Sequence, residues 1–162
     1  MHIVVAVDEN WGIGYENKLL VSVPADMKNF RAITTGKTVI LGRKTLETFP
    51  GAKPLPKRRN IILSTNQEYQ VEGAEIAHSV EELQRLLADT PDEEVCVIGG
   101  ASIYQLLLPY CHKATITKFH KGFPADTYFP NLDEDPSWEI TNTSETMEHE
   151  GMQFVFVEYT RK

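Results

Sequence analysis

The stretch EVCVIGGASIYQLLLP, residues 94–109, changes period in its middle. EVCVIGG (94–100) is a near-continuous apolar run ending in two glycines, and it reads as a strand buried on both faces. ASIYQLLL (101–108) reads as a helix stopped by Pro109, because proline cannot continue one. The same construction recurs at residues 38–49, TVILGRKTLETF. There, TVIL (38–41) is a strand, Gly42 allows a tight turn, and RKTLETF (43–49) starts a helix. Strand, glycine turn and helix, used twice, point to an α/β domain with a largely parallel sheet.

Working outward, HIVVAV (2–7), NIILS (60–64), AEIAH (74–78) and KATITKFH (113–120) read as further strands. Residues 24–34 read as a helix with Pro24 at its first position, where the missing N–H costs nothing. SVEELQRLLAD (79–89) reads as a helix with Ser79 and Glu82 as a capping box. SWEITNTSET and QFVFVEYT form a closing hairpin around His149 to Gly151, which puts an antiparallel strand beside the parallel ones. Ligands of such sheets bind beyond the carboxyl ends of the strands. The site is therefore expected near residues 7–23, 42–49, 64–66, 99–104 and 118–126.

Composition narrows the partners. The 162 residues suffice for one domain with a core. A net charge of −7 disfavours nucleic acid as the main partner. No apolar run approaches the ~18 residues of a membrane span, and Asp8 ends the first apolar run too early for a signal peptide. Cys96 and Cys111 have no metal or redox spacing, and the five histidines form no metal motif. The expectation is a reduced, cytoplasmic protein without a metal.

Several stretches carry chemistry. DENWGIGYENKLLVSV (8–23) shows no convincing periodicity and reads as a long loop lying over a ligand. Its GIGYEN portion fails as a dinucleotide fingerprint, because Asn17 stands at the third glycine position and no helix opens there. Arg43, Lys44 and Thr45 sit at a helix start, where free N–H groups favour an anion. Gly99–Gly100 admits a phosphate close to the backbone. Two such units suit the two ends of one long phosphorylated ligand, which points to a dinucleotide. Lys57, Arg58 and Arg59 precede a strand, either as a charged loop or as a carboxylate receptor.

Asp26 is the awkward residue. At 3.6 residues per turn it shares a face with Phe30 and Ile33. The helix dipole accounts for an acid in a first turn, but not for its apolar-facing position. No basic residue lies at i±3 or i±4, since these positions are Val23, Ser22, Asn29 and Phe30. A ligand carrying N–H donors is the other account.

In this order, VAVDENWGIGYEN, PADMKNFRAIT, VILGRKTLETF, PLPKRRNIILS, VIGGASIYQLLLP and TKFHKGFPADTYFP, followed by the hairpin, resemble the dihydrofolate reductase family in its bacterial chromosomal type. The resemblance spans essentially the whole chain. It implies an eight-stranded, mostly parallel sheet with one antiparallel strand and four flanking helices. The implied reaction is NADPH-dependent reduction of 7,8-dihydrofolate by a cytoplasmic monomer that also binds antifolate inhibitors.

The resemblance makes Asp26 the acid that binds the pterin. Val4, Val5, Met27, Phe30, Phe49, Leu55, Ile98, Tyr104 and Thr117 surround the substrate. Arg58, with Arg31 also on the substrate side, pairs with the glutamate carboxylate. Ala6, Ile13, Gly14, Asn17, Lys18 and Leu19 match the nicotinamide side and its covering loop. Gly42 to Thr45 (Gly42, Arg43, Lys44, Thr45) and Ile98 to Tyr104 (Ile98, Gly99, Gly100, Ala101, Ser102, Ile103, Tyr104) match the two phosphate-cradling helix starts. Ser64 and Thr65, with Arg43, match the 2′-phosphate region. Two departures stand out: Leu20–Val21 replaces the family's usual Pro-Trp, and Ala125 replaces a usual glycine. A related reductase acting on another pterin or a ribosylated pyrimidine shares the cofactor half, but needs no Asp26–Arg58 pair.

Overall fold

The computed structural model describes every residue from Met1 to Lys162. Its strands are β1 His2–Val7, β2 Gly12–Tyr15, β3 Lys18–Leu19, β4 Thr38–Gly42, β5 Arg59–Leu63, β6 Ala74–Ala77, β7 Val95–Gly99, β8 Lys113–Phe119, β9 Thr127–Tyr128, β10 Trp138–Thr143, β11 Met147–His149 and β12 Met152–Arg161. The helices are α1 Pro24–Thr34, α2 Arg43–Glu47, α3 Val80–Leu86 and α4 Ala101–Leu107. Short 3-10 turns occur between several of these.

The main sheet has the order β10-β12-β8-β1-β7-β4-β5-β6, with β11 also paired to β12. β10 and β11 lie opposite successive lengths of β12 and share one edge position. β12 runs antiparallel to β8 and to both edge segments, while β1, β4, β5, β6, β7 and β8 pair in parallel. The expected eight strand positions with one reversed are therefore present. The apolar runs at 39–41, 61–62 and 95–97 are fully buried because helices and loops cover both faces.

Two apolar clusters lie on opposite faces. Ile3, Val5, Val7, Ile40, Ile61, Val97 and Ile116 belong to the larger, together with Trp11, Tyr104 and Phe129. Val4, Val39, Leu41, Ile62, Cys96 and Ile98 belong to the smaller. This is the period-2 alternation of strands. Ser79 Oγ accepts the Glu82 N–H at 3.1 Å, as a capping box requires. The Glu82 carboxylate reaches the N–H of His78 at 3.3 Å, one residue before the cap.

The loop expected over 8–23 is corrected by the structure. Gly12–Tyr15 and Lys18–Leu19 form a hairpin, and β9 joins it as the third strand of a small sheet ordered β3-β2-β9. The turn residues Glu16 and Asn17 both have positive φ, 50° and 64°, the geometry of a tight two-residue hairpin turn. With two-residue pairing on each side, no periodicity was long enough to reveal it. No helix is long and apolar enough to cross a membrane.

Candidate active site

Parallel pairing brings the carboxyl ends of β1, β4, β5, β7 and β8 to one edge of the sheet, as expected. Beside that edge, α1 lies over the smaller cluster. Phe30 and Ile33 pack against it, and so do Phe49 and Leu55 from the loops that follow α2. Asp26 shares their face, as the spacing requires, and is half-buried. Its Oδ1 accepts the Thr117 hydroxyl at 2.6 Å, across 91 residues of sequence. Asp26 Oδ2 has no protein donor. Burial raises the carboxyl pKa above its ordinary value, and the Thr117 hydrogen bond only partly opposes this. Tyr104 is close enough for the Asp26 charge to act on it. Burial first, and then that charge, hold the phenol protonated. The Tyr104 hydroxyl donates to the Val4 carbonyl at 2.8 Å.

Val4, Phe30, Phe49, Leu55 and Ile98 thus form one apolar wall leading away from Asp26. Val5 does not join it: its side chain enters the larger cluster on the other face, because consecutive strand residues alternate. Met27 is 37% exposed at the open side. At the far rim, Arg58 Nε donates to the Pro56 carbonyl at 2.9 Å and one Nη donates to Thr34 Oγ1 at 3.2 Å. Thr34 Oγ1 in turn donates to the Phe30 carbonyl. Arg58 Nη2 is left without a protein acceptor. Its pKa is lowered by burial and by the neighbouring charge of Arg31, so two cations share this rim. Arg59, by contrast, is committed to Glu75 through contacts of 2.6 and 2.9 Å and serves the fold.

The two glycine-bearing helix starts lie side by side, since Leu41 of β4 is paired with Gly99 of β7. Neither Gly42 nor Gly100 caps its helix with a side chain. A Cβ on Gly42 would sit 3.0 Å from Ile103, and one on Gly100 would sit 3.3 Å from Thr45 Oγ1. Gly99 has φ 126°, a conformation that L side chains rarely adopt. Gly42 is paired with Leu63, so Ser64 and Thr65 emerge beside Arg43, while Lys44 and Ser102 are exposed on the two helix starts. Arg43 has partners that sequence reading missed: Glu47 at 3.0 Å and the face of Tyr69 at 4.9 Å. Gly42–Thr45, Ser64–Thr65 and Gly99–Ser102 therefore lie at one edge of the sheet, while Ile103 and Tyr104 turn into the larger cluster and are buried.

On the loop that follows β1, Ile13 packs against the larger cluster. Gly14 is buried and pairs with Leu19 and Thr127. Asn17, Lys18 and Leu19 are exposed at the hairpin tip. Asp8 is buried and accepts N–H groups from Asn10, Gly12 and Phe123 at 2.9, 2.8 and 3.0 Å, tying this loop to the one after β8. Asp126 Oδ2 accepts the Glu16 N–H at 3.0 Å. The acid directly after a strand, four residues before a glycine, was the available signal for Asp8. For Asp126, whose partner lies 110 residues away, residue patterning offered none, and only the resemblance marked the aspartate that follows Ala125.

Comparison with known proteins decides what this arrangement belongs to. Residues 1–161 match the family model described as dihydrofolate reductase. The chain belongs to the dihydrofolate reductase family. It is 38% identical over 159 residues to dihydrofolate reductase of Neisseria meningitidis serogroup B, covering 98% of this chain and 96% of that protein. The Bacillus subtilis dihydrofolate reductase is 32% identical over 161 residues, covering 98% and 93%. A solved dihydrofolate reductase from Enterococcus faecalis, complexed with NADP(H) and RAB-propyl, superposes with a TM-score of 0.87 at 37% identity. That match covers 99% of this chain and 95% of the other.

The two departures from the usual dihydrofolate reductase pattern have physical consequences. Val21 packs with Ala6, Val23, Phe119, Phe154 and Phe156 in a small apolar cluster. It offers Asp26 no donor, and Thr117 is left as the acid's one protein partner. Ala125 packs against Gly12: a Cβ on Gly12 would lie 2.8 Å from the Ala125 Cβ and 3.1 Å from Asp8 Oδ1. A separate cavity of about 620 Å³, lined by His2, Asn29, Lys37, Lys113, Thr115 and Glu158 among others, shares no residue with the expected site.

Gly12→Ala is expected to cost about 1–3 kcal/mol through overpacking, with part of that recovered in the Gly12→Ala/Ala125→Gly double variant. A urea-denaturation cycle measures the coupling, and strict additivity would contradict the contact. Asp26 has a folded-state pKa above its unfolded one. The folded state therefore binds more protons between the two values, and stability falls as pH rises through that window. Asp26→Asn removes this loss. Its stability relative to the parent is expected to grow as pH rises from the ordinary Asp value of 3.8, as denaturation midpoints across pH will show.

Proposed function

We propose that this chain reduces 7,8-dihydrofolate to 5,6,7,8-tetrahydrofolate with NADPH, for one-carbon and thymidylate metabolism. The observation that carries the reading is the half-buried Asp26, with one free carboxylate oxygen, at the head of an apolar wall that ends at Arg58. A pterin with ring N–H and 2-amino donors, an aromatic linker and a terminal glutamate has matching chemistry at each point. Membership of the dihydrofolate reductase family over residues 1–161 supports the same conclusion.

The residues at the two helix starts fit NADPH. Gly42 and Gly100 leave room for close backbone approach, where added Cβ atoms would press on Ile103 and Thr45. Arg43, Ser64 and Thr65 gather a cation and two hydroxyls for a 2′-phosphate, once Arg43 exchanges its contact with Glu47. Gly42 to Thr45 and the open start of Gly99 to Tyr104 would hold the pyrophosphate, while Ala6, Ile13, Gly14 and the exposed hairpin residues Asn17 to Leu19 would lie on the nicotinamide side. When bound, NADPH supplies the hydride that C6 of the pterin accepts.

C6 accepts a hydride only as N5 gains a proton. Asp26 Oδ2 receives the ring N–H and 2-amino group, which offsets the cost of burying its charge. This orients the pterin and places negative charge near a cationic transition state. Asp26 engages the side away from N5, which leaves the immediate proton to water. Val4, Phe30, Phe49 and Ile98 exclude bulk solvent from the rings, and Arg58 Nη2, with Arg31 nearby, takes the glutamate carboxylate. Antifolate inhibitors occupy the same pocket. Buried, unpaired Cys96 and Cys111 support a reducing, cytoplasmic setting, and the resemblance supports a single-domain monomer.

Mixing the protein with NADPH and dihydrofolate should deplete the dihydronicotinamide absorbance, and no depletion at micromolar enzyme would overturn the reading. Asp26→Asn is expected to lose most activity at neutral pH and to regain some as pH falls, because the substrate then arrives protonated. A pH-independent defect would contradict the role. Arg58→Leu should raise KM for dihydrofolate far more than for a pteridine lacking glutamate, and equal losses would remove the carboxylate assignment.

A further inference from the structure

Thr117 and Lys118 are consecutive on β8 and point to opposite faces. Thr117 holds Asp26, while Lys118 faces the larger cluster. There its ammonium donates to Asp133 Oδ2 at 2.7 Å and to the Tyr159 hydroxyl at 3.1 Å. Tyr159 donates to the other Asp133 oxygen at 2.7 Å. The same ammonium lies 5.0 Å from the centre of the Trp11 ring. Two groups from two distant segments thus fix one cation, and that cation faces an indole from a third.

Trp11 stands at the base of the hairpin. It is buried, and it has φ 64° although it is not glycine. Gly12, the first residue of the small sheet, follows it. Phe129 comes directly after β9, the last strand of that sheet. The two rings stack at 6.3 Å with an interplanar angle of 20°, and the Phe129 N–H donates to the Trp11 carbonyl at 2.9 Å. Two of the small sheet's four chain connections to the body, the one entering β2 and the one leaving β9, therefore meet at one aromatic contact. Phe129 continues edge-on to Tyr104 at 5.2 Å, whose hydroxyl holds the Val4 carbonyl in the pocket.

We propose that Lys118 is a positioning residue for the reaction: held by Asp133 and Tyr159, its ammonium fixes Trp11 and so sets how the Gly12–Leu19 hairpin lies over the nicotinamide side. This rests on the functional reading above. Packing alone does not explain the arrangement, because a buried apolar side chain would fill the same space without needing Asp133. A cation is drawn to the indole face, and an ammonium anchored by Asp133 and Tyr159 adds to the Phe129 stack in holding the ring in one orientation. Asp133 supplies the anchor. Burial pushes its carboxyl pKa up, but Lys118 and Tyr159 together bring it below the ordinary value.

The test compares Lys118→Met, which keeps the stem and loses the charge, with Lys118→Arg, which keeps the charge. Lys118→Met is expected to lower kcat/KM for NADPH about tenfold, with little change in KM for dihydrofolate. Lys118→Arg should recover most of the loss. In a Trp138→Phe background Trp11 is the only indole, and its acrylamide quenching should rise in Lys118→Met and return in Lys118→Arg. An unchanged kcat/KM for NADPH, unchanged quenching, or equal losses for both substrates without rescue by arginine would overturn the proposal. Should Lys118→Met fail to fold, Tyr159→Phe removes one anchor and must show the same selective loss, and its absence overturns the proposal too. No turnover by the parent protein would overturn the functional reading itself, whereas turnover indifferent to Lys118 would overturn only the positioning role.

Discussion

Everything in this molecule depends on β1 being paired in parallel between β7 and β8. His2 and Ile3 register with Cys96 and Val97 on one side, while all six residues of β1 register with Lys113 to Lys118 on the other. Parallel strands cannot be joined by tight hairpins, so each needs a crossover that returns over one face. The crossovers cover both faces, and both faces must then be apolar. The price of that burial is met by runs such as HIVVAV and VCVI, which leave the polar work to the strand ends. Because the strands share a direction, those ends share an edge.

That edge carries several of the unusual backbone positions. Gly42, Gly99 and Gly100 sit where added Cβ atoms would press on neighbours or where φ is positive. Trp11, Glu16 and Asn17 adopt positive φ without being glycine. Such positions persist only where surrounding contacts over-determine them. Here Asp8, Asp126 and the Trp11–Phe129 stack supply those contacts, and they do so through hydrogen bonds and ring faces rather than through a core of their own. The covering hairpin is therefore a part fastened to the body at a few named points.

Two faces of one strand do two tasks. Through Thr117, β8 holds the Asp26 carboxylate at 2.6 Å, and through Lys118 it places an ammonium 5.0 Å from the Trp11 ring at the base of the hairpin. A single shift of β8 would disturb both. The paired antiparallel β12 resists such a shift along seven registered positions. The reversed strand thus braces a parallel strand that makes polar side-chain contacts on both of its faces.

Local pattern and tertiary position divide the account cleanly. The strands read at 2–7, 38–41, 60–64, 94–100 and 113–120, the four helices, and the apolar-facing Asp26 were legible, because periodicity, glycines and prolines act over a few residues. The family resemblance likewise lay in short motifs taken in order. The hairpin at 12–19 was not legible, since its strands are too short to show a period and its third strand lies more than a hundred residues away. Nor was Val5 separable from Val4 as a wall residue until the sheet faces were known. The partner of Asp26, the stacking of Trp11 on Phe129 and the anchoring of Lys118 were also decided only in three dimensions. Sequence states which groups exist and how they repeat locally. A hydrogen bond or a ring contact between residues a hundred positions apart is created only when the sheet sets their strands side by side.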